Sequence, residues 1–301
     1  VYEIPEGNKQ SKGRALQNLI NIESDDKVKA FICTQDLKNP EYIKEHYIIM
    51  ATKKGQVKKT SLEKYSKPRV NGVAAITIKE DDELLGAELT NGRSQVLIAV
   101  KSGKLVRFEE AKTRPMGRTA SGVRGITLRD DQDEVIGMVS VDENNINETQ
   151  LLVVTENGYG KRTKLEDEGE AVYRITNRGG KGVKTLNITE KTGALVSINT
   201  VTDADDLMII NKSGLTIRMD VSTLRVMGRA TQGVRLINLK GSDSIAAVTK
   251  VMKDEEEEAV AIDGEELEID PNAVIEDDAD DDDVVENQDD EAGDAEDDSE
   301  E

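Results

Sequence analysis

The sequence predicts an all-β fold, a propeller-like ring of four-stranded blades followed by an acidic tail. Three observations predict it. A pattern of apolar run, polar turn ending in Gly, and short strand recurs four times, as "IIMATKKGQVKKTSL", "LIAVKSGKLVRFEE", "LLVVTENGYGKRTKL" and "LMIINKSGLTIRMDV". A second element beginning Gly-Val follows in every repeat. Within it, apolar residues recur at a period of two, the mark of a strand with one buried face. Repeats near 50 residues, each built from short strands and Gly turns, fit blades better than the coils of a solenoid.

Taken in order, "KGRALQNL" from Lys12 reads as the end of a repeat that precedes the four. The turn glycines of the four are Gly55, Gly103, Gly158 and Gly214, 48, 55 and 56 residues apart. Tight hairpins need positive φ, and Gly supplies it. Four residues after each comes a cation: Lys59, Arg107, Arg162 and Arg218. The second elements are "GVAAITI", "GVRGITL", "GVKTLNI" and "GVRLINL", from Gly72, Gly122, Gly182 and Gly233. Their apolar positions are Ile76, Ile126, Leu186 and Ile237, then Ile78, Leu128, Ile188 and Leu239. A closing strand such as "LLGAEL" or "VIGMVSV" completes each unit.

Composition narrows the function. The net charge of −21 conceals an asymmetry, because residues 254–301 hold 27 acids and no base, leaving 61 − 27 = 34 acids against 40 Lys and Arg in residues 1–253. The body is thus about +6 by that count, and the sequence pI near 4.6 describes the tail. A basic body with an acidic tail predicts nucleic-acid binding tuned by an internal competitor, or else a tail that only solubilises. The tail is expected to be disordered. Cys33 is the one cysteine, so no intrachain disulfide and no thiolate zinc site is expected. No run of about 18 apolar residues predicts a membrane span. The start, "VYEIPEGNKQSKG", does not read as a signal peptide and lacks an initiator Met, so a longer parent is expected.

Catalysis finds little support. His46, the single His, opens an apolar strand and reads as structural or surface-facing; Cys33 in "AFICT" reads as a small buried hydrophobe. The acidic clusters at Glu80 and Asp130 read as solvated loops. The loop "NRGGKG", Asn177 to Gly182, fails as a P-loop: Gly180-Lys181 is followed by Gly182, and Ile175 stands where the earlier Gly belongs. It is either a turn or a clamp on backbone phosphate, with Arg178 and Lys181 adding charge. The same loop carries cations in every repeat: Lys67 and Arg69, Arg114 and Arg118, Arg174 and Arg178, Arg225 and Arg229. Repetition in register predicts a cationic belt. Eight aromatics are too few for base stacking on single strands, so duplex DNA held through phosphates is the expected partner.

At this point "MATKKGQVKKTSLEKYSKPRVNG", "VLIAVKSGKLVRFEEAKTRPMGRTASGVRGI", "VVTENGYGKRT" and "VMGRATQGVRLI" closely resemble the C-terminal domain family of the DNA gyrase A subunit, over about residues 1–252. The resemblance implies a six-bladed β-pinwheel whose blades exchange a strand. Residues 1–252 would hold parts of about five blades, and residues 253–301 the disordered tail. A basic rim would wrap duplex DNA and present a segment for passage through a break held elsewhere in the enzyme, giving ATP-dependent negative supercoiling. Together with the belt, the resemblance makes Lys12, Arg14, Lys58, Lys59, Lys67, Arg69, Arg107, Arg114, Arg118, Arg124, Lys161, Arg162, Arg174, Arg178, Lys181, Arg218, Arg225, Arg229 and Arg235 candidate DNA contacts. None of the tyrosines matches the family's breakage motif, so the chain alone is expected to cleave nothing. No cofactor is expected here, while ATP and Mg2+ would serve the whole enzyme. The implied partners are duplex DNA and, in an A2B2 assembly, the rest of the gyrase A subunit with the gyrase B subunit. The implied location is the bacterial cytoplasm, on the chromosome. The family's Gln-Arg-Arg-Gly-Gly-Lys-Gly box lies in its first blade, expected upstream, so "NRGGKG" in blade five does not inherit its role. The alternative readings are a propeller-type protein-interaction module or a topoisomerase IV A subunit.

Overall fold

The computed structural model describes Lys12, Ala15 and residues 26–69, 71–241 and 243–253. The tail and Arg14 lie outside the described residues. The architecture is all-β and propeller-like, with four successive sheets of three or four strands among the described residues. Each of the four repeats contributes a hairpin: β1 (Tyr47–Thr52) with β2 (Gln56–Ser61), β4 (Gln95–Val100) with β5 (Lys104–Glu109), β8 (Gln150–Thr155) with β9 (Tyr159–Lys164), and β14 (Asp205–Asn211) with β15 (Thr216–Asp220). The closing strands β3 (Leu84–Thr90), β7 (Val135–Val141), β13 (Leu195–Val201) and β17 (Ile245–Met252) pair antiparallel with the first strand of their own hairpins.

Residue spacing places the Gly-Val element within its own repeat, whereas the structure shows the strand exchange that the family resemblance implies. The element is a two-residue strand added to the sheet before it. β6 (Val123–Arg124) pairs with β2, β12 (Val183–Lys184) with β5, and β16 (Val234–Arg235) with β9. The first three sheets thus have four strands and the last has three among the described residues, in the order β15-β14-β17. Glycine makes the exchange physically possible. Gly122, Gly182 and Gly233 have φ of +89°, +71° and +82°, and a Cβ on each would sit 2.5–2.7 Å from a carbonyl oxygen of the preceding sheet.

Three hydrogen bonds recur at each junction. Met116, Thr176 and Met227 donate their amides to the carbonyls of Lys59, Arg107 and Arg162 at 2.8, 2.9 and 2.9 Å. Gly125, Thr185 and Leu236 donate to the turn-glycine carbonyls of Gly55, Gly103 and Gly158 at 2.8, 2.9 and 2.8 Å. Val135, Leu195 and Ile245, opening their closing strands, donate to Lys53, Lys101 and Glu156 at 2.9, 3.1 and 2.9 Å. The acidic clusters lie at these junctions. They are more than solvated loops: Asp133 is buried and accepts from Ser102 N at 3.0 Å, and Asp82 accepts from Lys54 N at 2.9 Å, so each clamps the preceding hairpin turn.

The core sits between successive sheets, and strand alternation divides it. Val96, Ile98 and Val100 pack toward the first sheet with Ile49, Ala51 and Val57, while Leu97 and Ala99 pack toward the third with Leu151 and Val153. Leu152 and Val154 continue the series toward Leu207 and Ile209 of the fourth. Burying each such side chain contributes about 1.5–3 kcal/mol. Aliphatic residues suffice because each interface is only two sheet faces deep.

Two further elements were not expected from the sequence. A short helix, α1 (Pro40–Glu45), starts at Asn39, whose side chain accepts from the Glu41 and Tyr42 amides, with Pro40 in the first turn. His46 ends it, its Nδ1 lying 2.8 Å from the Tyr42 carbonyl, consistent with a structural role. The other is an acidic hairpin of β10 (Glu166–Asp167) and β11 (Glu170–Ala171) within the third repeat. Cys33 is exposed, contrary to its apolar setting in sequence, and so is Phe31 beside it at 79%.

Candidate nucleic-acid interface

The loop before each Gly-Val strand is tied at both ends to the outer strand of the preceding sheet. In the second sheet, Ile175 bridges Arg107 and Val183 pairs with Leu105, so residues 176–182 arc over Val106. Pro115 on Lys59 with Val123 on Val57, and Val226 on Arg162 with Val234 on Gly160, repeat the arrangement. Each loop also rests on the donated segment of the repeat before it. Thr77 donates to Ala120 O, Thr127 to Gly180 O and Asn187 to Thr231 O, at 3.4, 2.9 and 3.2 Å. Cations of adjacent repeats therefore meet. Arg178 donates from Nη1 to the Arg124 carbonyl at 3.2 Å, and Arg229 from Nη1 to the Lys184 carbonyl at 3.3 Å. The row runs Arg118, Arg124, Arg178, Lys184, Arg229, Arg235.

Lys12, Lys67, Arg69, Arg114, Arg124, Arg174, Lys181, Arg225 and Arg235 are exposed, and Arg118, Arg178 and Arg229 are half-buried. Arg114, Arg174, Lys181 and Arg225 make no ion pair among the described residues, so their charge faces solvent uncompensated. Lys184 belongs to the row and was not among the candidates. Its signal was in the sequence: it holds the register of Arg124 and Arg235, two residues after the glycine. Arg235 also stacks on Tyr159, its Nη2 donating to the phenol oxygen at 2.9 Å, with Lys191 at 5.5 Å from the ring. The Arg235 hydrogen bond lowers the phenol pKa.

Five candidates belong elsewhere. Lys58, Lys59, Arg107, Lys161 and Arg162 are buried at 0–6% exposure and have no face for a phosphate. They are ties between repeats. Lys59 Nζ pairs with Glu110 Oε1 of the next repeat at 2.8 Å and lies 4.1 Å from the Tyr47 ring centre. Arg107 donates from Nη1 to the Leu165 and Tyr173 carbonyls, both at 3.0 Å, and pairs with Glu166 at 2.8 Å. Arg162 pairs with Asp203 and donates to the Leu224 and Ser222 carbonyls. Lys58 donates to the carbonyls of Ala75 and Arg118; Lys161 donates to those of Gly228 and Arg229 at 2.6 and 2.7 Å. Burial, then the nearby guanidinium of Arg118 or Arg229, lowers the pKa of each lysine to about 8. Arg218, in the last sheet, turns to Asp206 of its own sheet at 2.6 Å.

Residues 1–35, 46–91, 95–142, 149–202 and 205–252 match the family described as DNA gyrase C-terminal domain, beta-propeller. The chain belongs to this family. Four of the five matched segments are the repeats whose sheets are described above. Over 257 residues the gyrase-family chain is 46% identical to the DNA gyrase A subunits of Staphylococcus aureus strains NCTC 8325 / PS 47 and COL. The match covers 85% of this chain and 28% of those relatives, so the chain spans little more than a quarter of their length. In three dimensions it resembles the C-terminal domain of DNA topoisomerase IV, with a TM-score of 0.71, 22% identity and coverage of 83% of this chain and 74% of that one. It also resembles a DNA gyrase A C-terminal domain, with a TM-score of 0.67, 24% identity and coverage of 81% and 76%. These two likenesses establish the shared fold. Among the described residues, no helix is long and apolar enough to cross a membrane, and no cluster of His, Cys, Asp or Glu is arranged to hold a metal.

Proposed function

We propose that this domain binds duplex DNA along the cation row and bends it around the rim, as the wrapping part of a gyrase A subunit. One observation carries the reading: the donated strands bring cations of successive repeats side by side in one register, each exposed or half-buried and none with an acidic partner among the described residues. Such a row suits backbone phosphates rather than base edges, since the one α-helix among the described residues is six residues long. Bending a 20–30 bp site by 40–90° costs about 1–6 kcal/mol, so many phosphate contacts have to act together. In the complete enzyme, the bent segment would be presented for ATP- and Mg2+-dependent passage. The partners would be the remainder of the gyrase A subunit with the gyrase B subunit in an A2B2 assembly, on the bacterial chromosome. The chain by itself supplies binding and no chemistry. Identity of 46% with gyrase A favours gyrase over topoisomerase IV.

The test is duplex affinity against salt, by fluorescence anisotropy on a duplex of about 40 bp. Each neutralised phosphate contributes about 0.9 to the log–log slope, and 6–10 contacts weaken binding by about 10^3–10^5 between 50 and 200 mM salt. Affinity independent of salt, or no binding in low salt, would favour the protein-interaction reading.

A further inference from the structure

In the first and third sheets a lysine fills the space enclosed by the overlying loop. Lys58, opposite Met50, and Lys161, opposite Val153, carry ammonium groups that donate to loop carbonyls. At the same register of the second sheet, opposite Ile98, stands Val106, which has no ammonium to give. A cavity of about 430 Å³ lies there, lined by Val106 and by the loop residues Arg174, Thr176, Arg178, Gly180 and Lys181 among others.

The loop over this cavity departs from its two counterparts. Ala120 N donates to Gly117 O at 3.2 Å and Thr231 N to Gly228 O at 3.3 Å, closing the turn. At the equivalent position the Gly180 N–H makes no hydrogen bond among the described residues. Packing does not demand this glycine: a Cβ would find nothing closer than Asn177 O at 3.7 Å, and its φ is not in the left-handed region. What glycine leaves there is an open approach to a free backbone donor, beside Arg174 and Lys181, neither of which has an acidic partner among the described residues. A free N–H and two unpaired cations lining one cavity are the makings of an anion seat.

We infer that the space over Val106, beneath the 176–182 loop, seats one phosphate group of the duplex backbone, an anchoring point that the other loops fill with lysine. The inference rests on the duplex-binding reading and sharpens it. Simple charge attraction and a built seat make opposite predictions for Val106→Lys. An added cation strengthens phosphate binding if only charge matters, whereas a lysine placed as in the neighbouring sheets fills the seat.

The probe is inorganic phosphate, titrated into the 301-residue chain at constant ionic strength and followed by amide NMR. Saturable shifts are expected at Gly179, Gly180 and Lys181, and Val106→Lys is expected to weaken them about tenfold or more. Val106→Met, a filler without charge, is expected to do the same, and unchanged dispersion of the remaining amides checks the fold of both. Duplex affinity is expected to fall several-fold in Val106→Lys. Absent shifts, or shifts unaltered by both substitutions, would overturn the seat. Lost shifts with unchanged duplex affinity would overturn its assignment to backbone phosphate. If the unsubstituted chain binds no duplex at all, the functional reading fails, whatever inorganic phosphate does.

Discussion

Lysine and arginine serve two opposed purposes in this chain. Lys161 and Arg162 lie buried under the rim, while Arg229, whose carbonyl Lys161 holds, contributes to the rim itself. A buried charge survives only when it is paired and hydrogen-bonded. Lys59 with Glu110 meets that condition, the carboxylate also accepting from Thr90 Oγ1 at 2.7 Å. Lys59→Met leaves Glu110 buried without its cation and is expected to destabilise the domain by about 3–5 kcal/mol, read from urea unfolding. Lys59→Met with Glu110→Leu is expected to recover much of that loss; a double variant as unstable as the single one would contradict the assignment. The two lysines with pKa near 8 give a pH signature. The unfolded lysine ionises near 10.4, so between about 8 and 10.4 the unfolded chain binds more protons than the folded one. Through these groups, stability rises with pH across that window and is flat below it. Side-chain NMR of Lys161 is expected to show a midpoint near 8, and a midpoint above 10 would refute the burial argument.

The element that builds the molecule is the donated strand. Two residues of pairing are too few to hold by themselves, and the exchange depends on glycines at both partners. Gly103 has φ +78°, and a Cβ there would lie 2.8 Å from Leu186 O of the next repeat; Gly214 has φ +89° and nothing within 4 Å. Gly214→Ala is therefore expected to cost about 1–2 kcal/mol for the left-handed backbone alone. Gly103→Ala is expected to cost distinctly more, because the clash separates a sheet from the strand it accepts. Equal costs in denaturant unfolding would show that the junction adjusts. The hairpins, their glycine turns and the closing strands were legible in the sequence, since alternation and turn chemistry are local. The sheet joined by the Gly-Val strand was not legible in residue spacing, because pairing partners 66–80 residues apart leave no local trace. The helix at Pro40 was not anticipated, because six residues are too few to show a helical period.

At the scale of the whole molecule, function rests on charge in register. Arg178→Ala with Lys181→Ala is expected to lower the salt slope of duplex binding by about two contacts, near 1.8 log units per log salt. An unaltered slope would reduce the loop to a turn. Residues 254–301 carry 27 acids, and as an internal competitor their removal is expected to tighten duplex binding; unchanged affinity would leave them a solubilising segment. The sequence by itself determined the all-β class, the repeat, the turn glycines and the cationic character of the loops, because each is fixed by residue type and spacing. Only the tertiary structure decided which cations reach solvent. Strand alternation and the exchange of strands turned Lys58, Lys59, Arg107, Lys161 and Arg162 inward as ties, turned the loop arginines and Lys184 outward, and left Val106 beneath "NRGGKG" with no ammonium to fill the space. Position along a repeat is a one-dimensional property, and burial depends on what a neighbouring repeat lays over it.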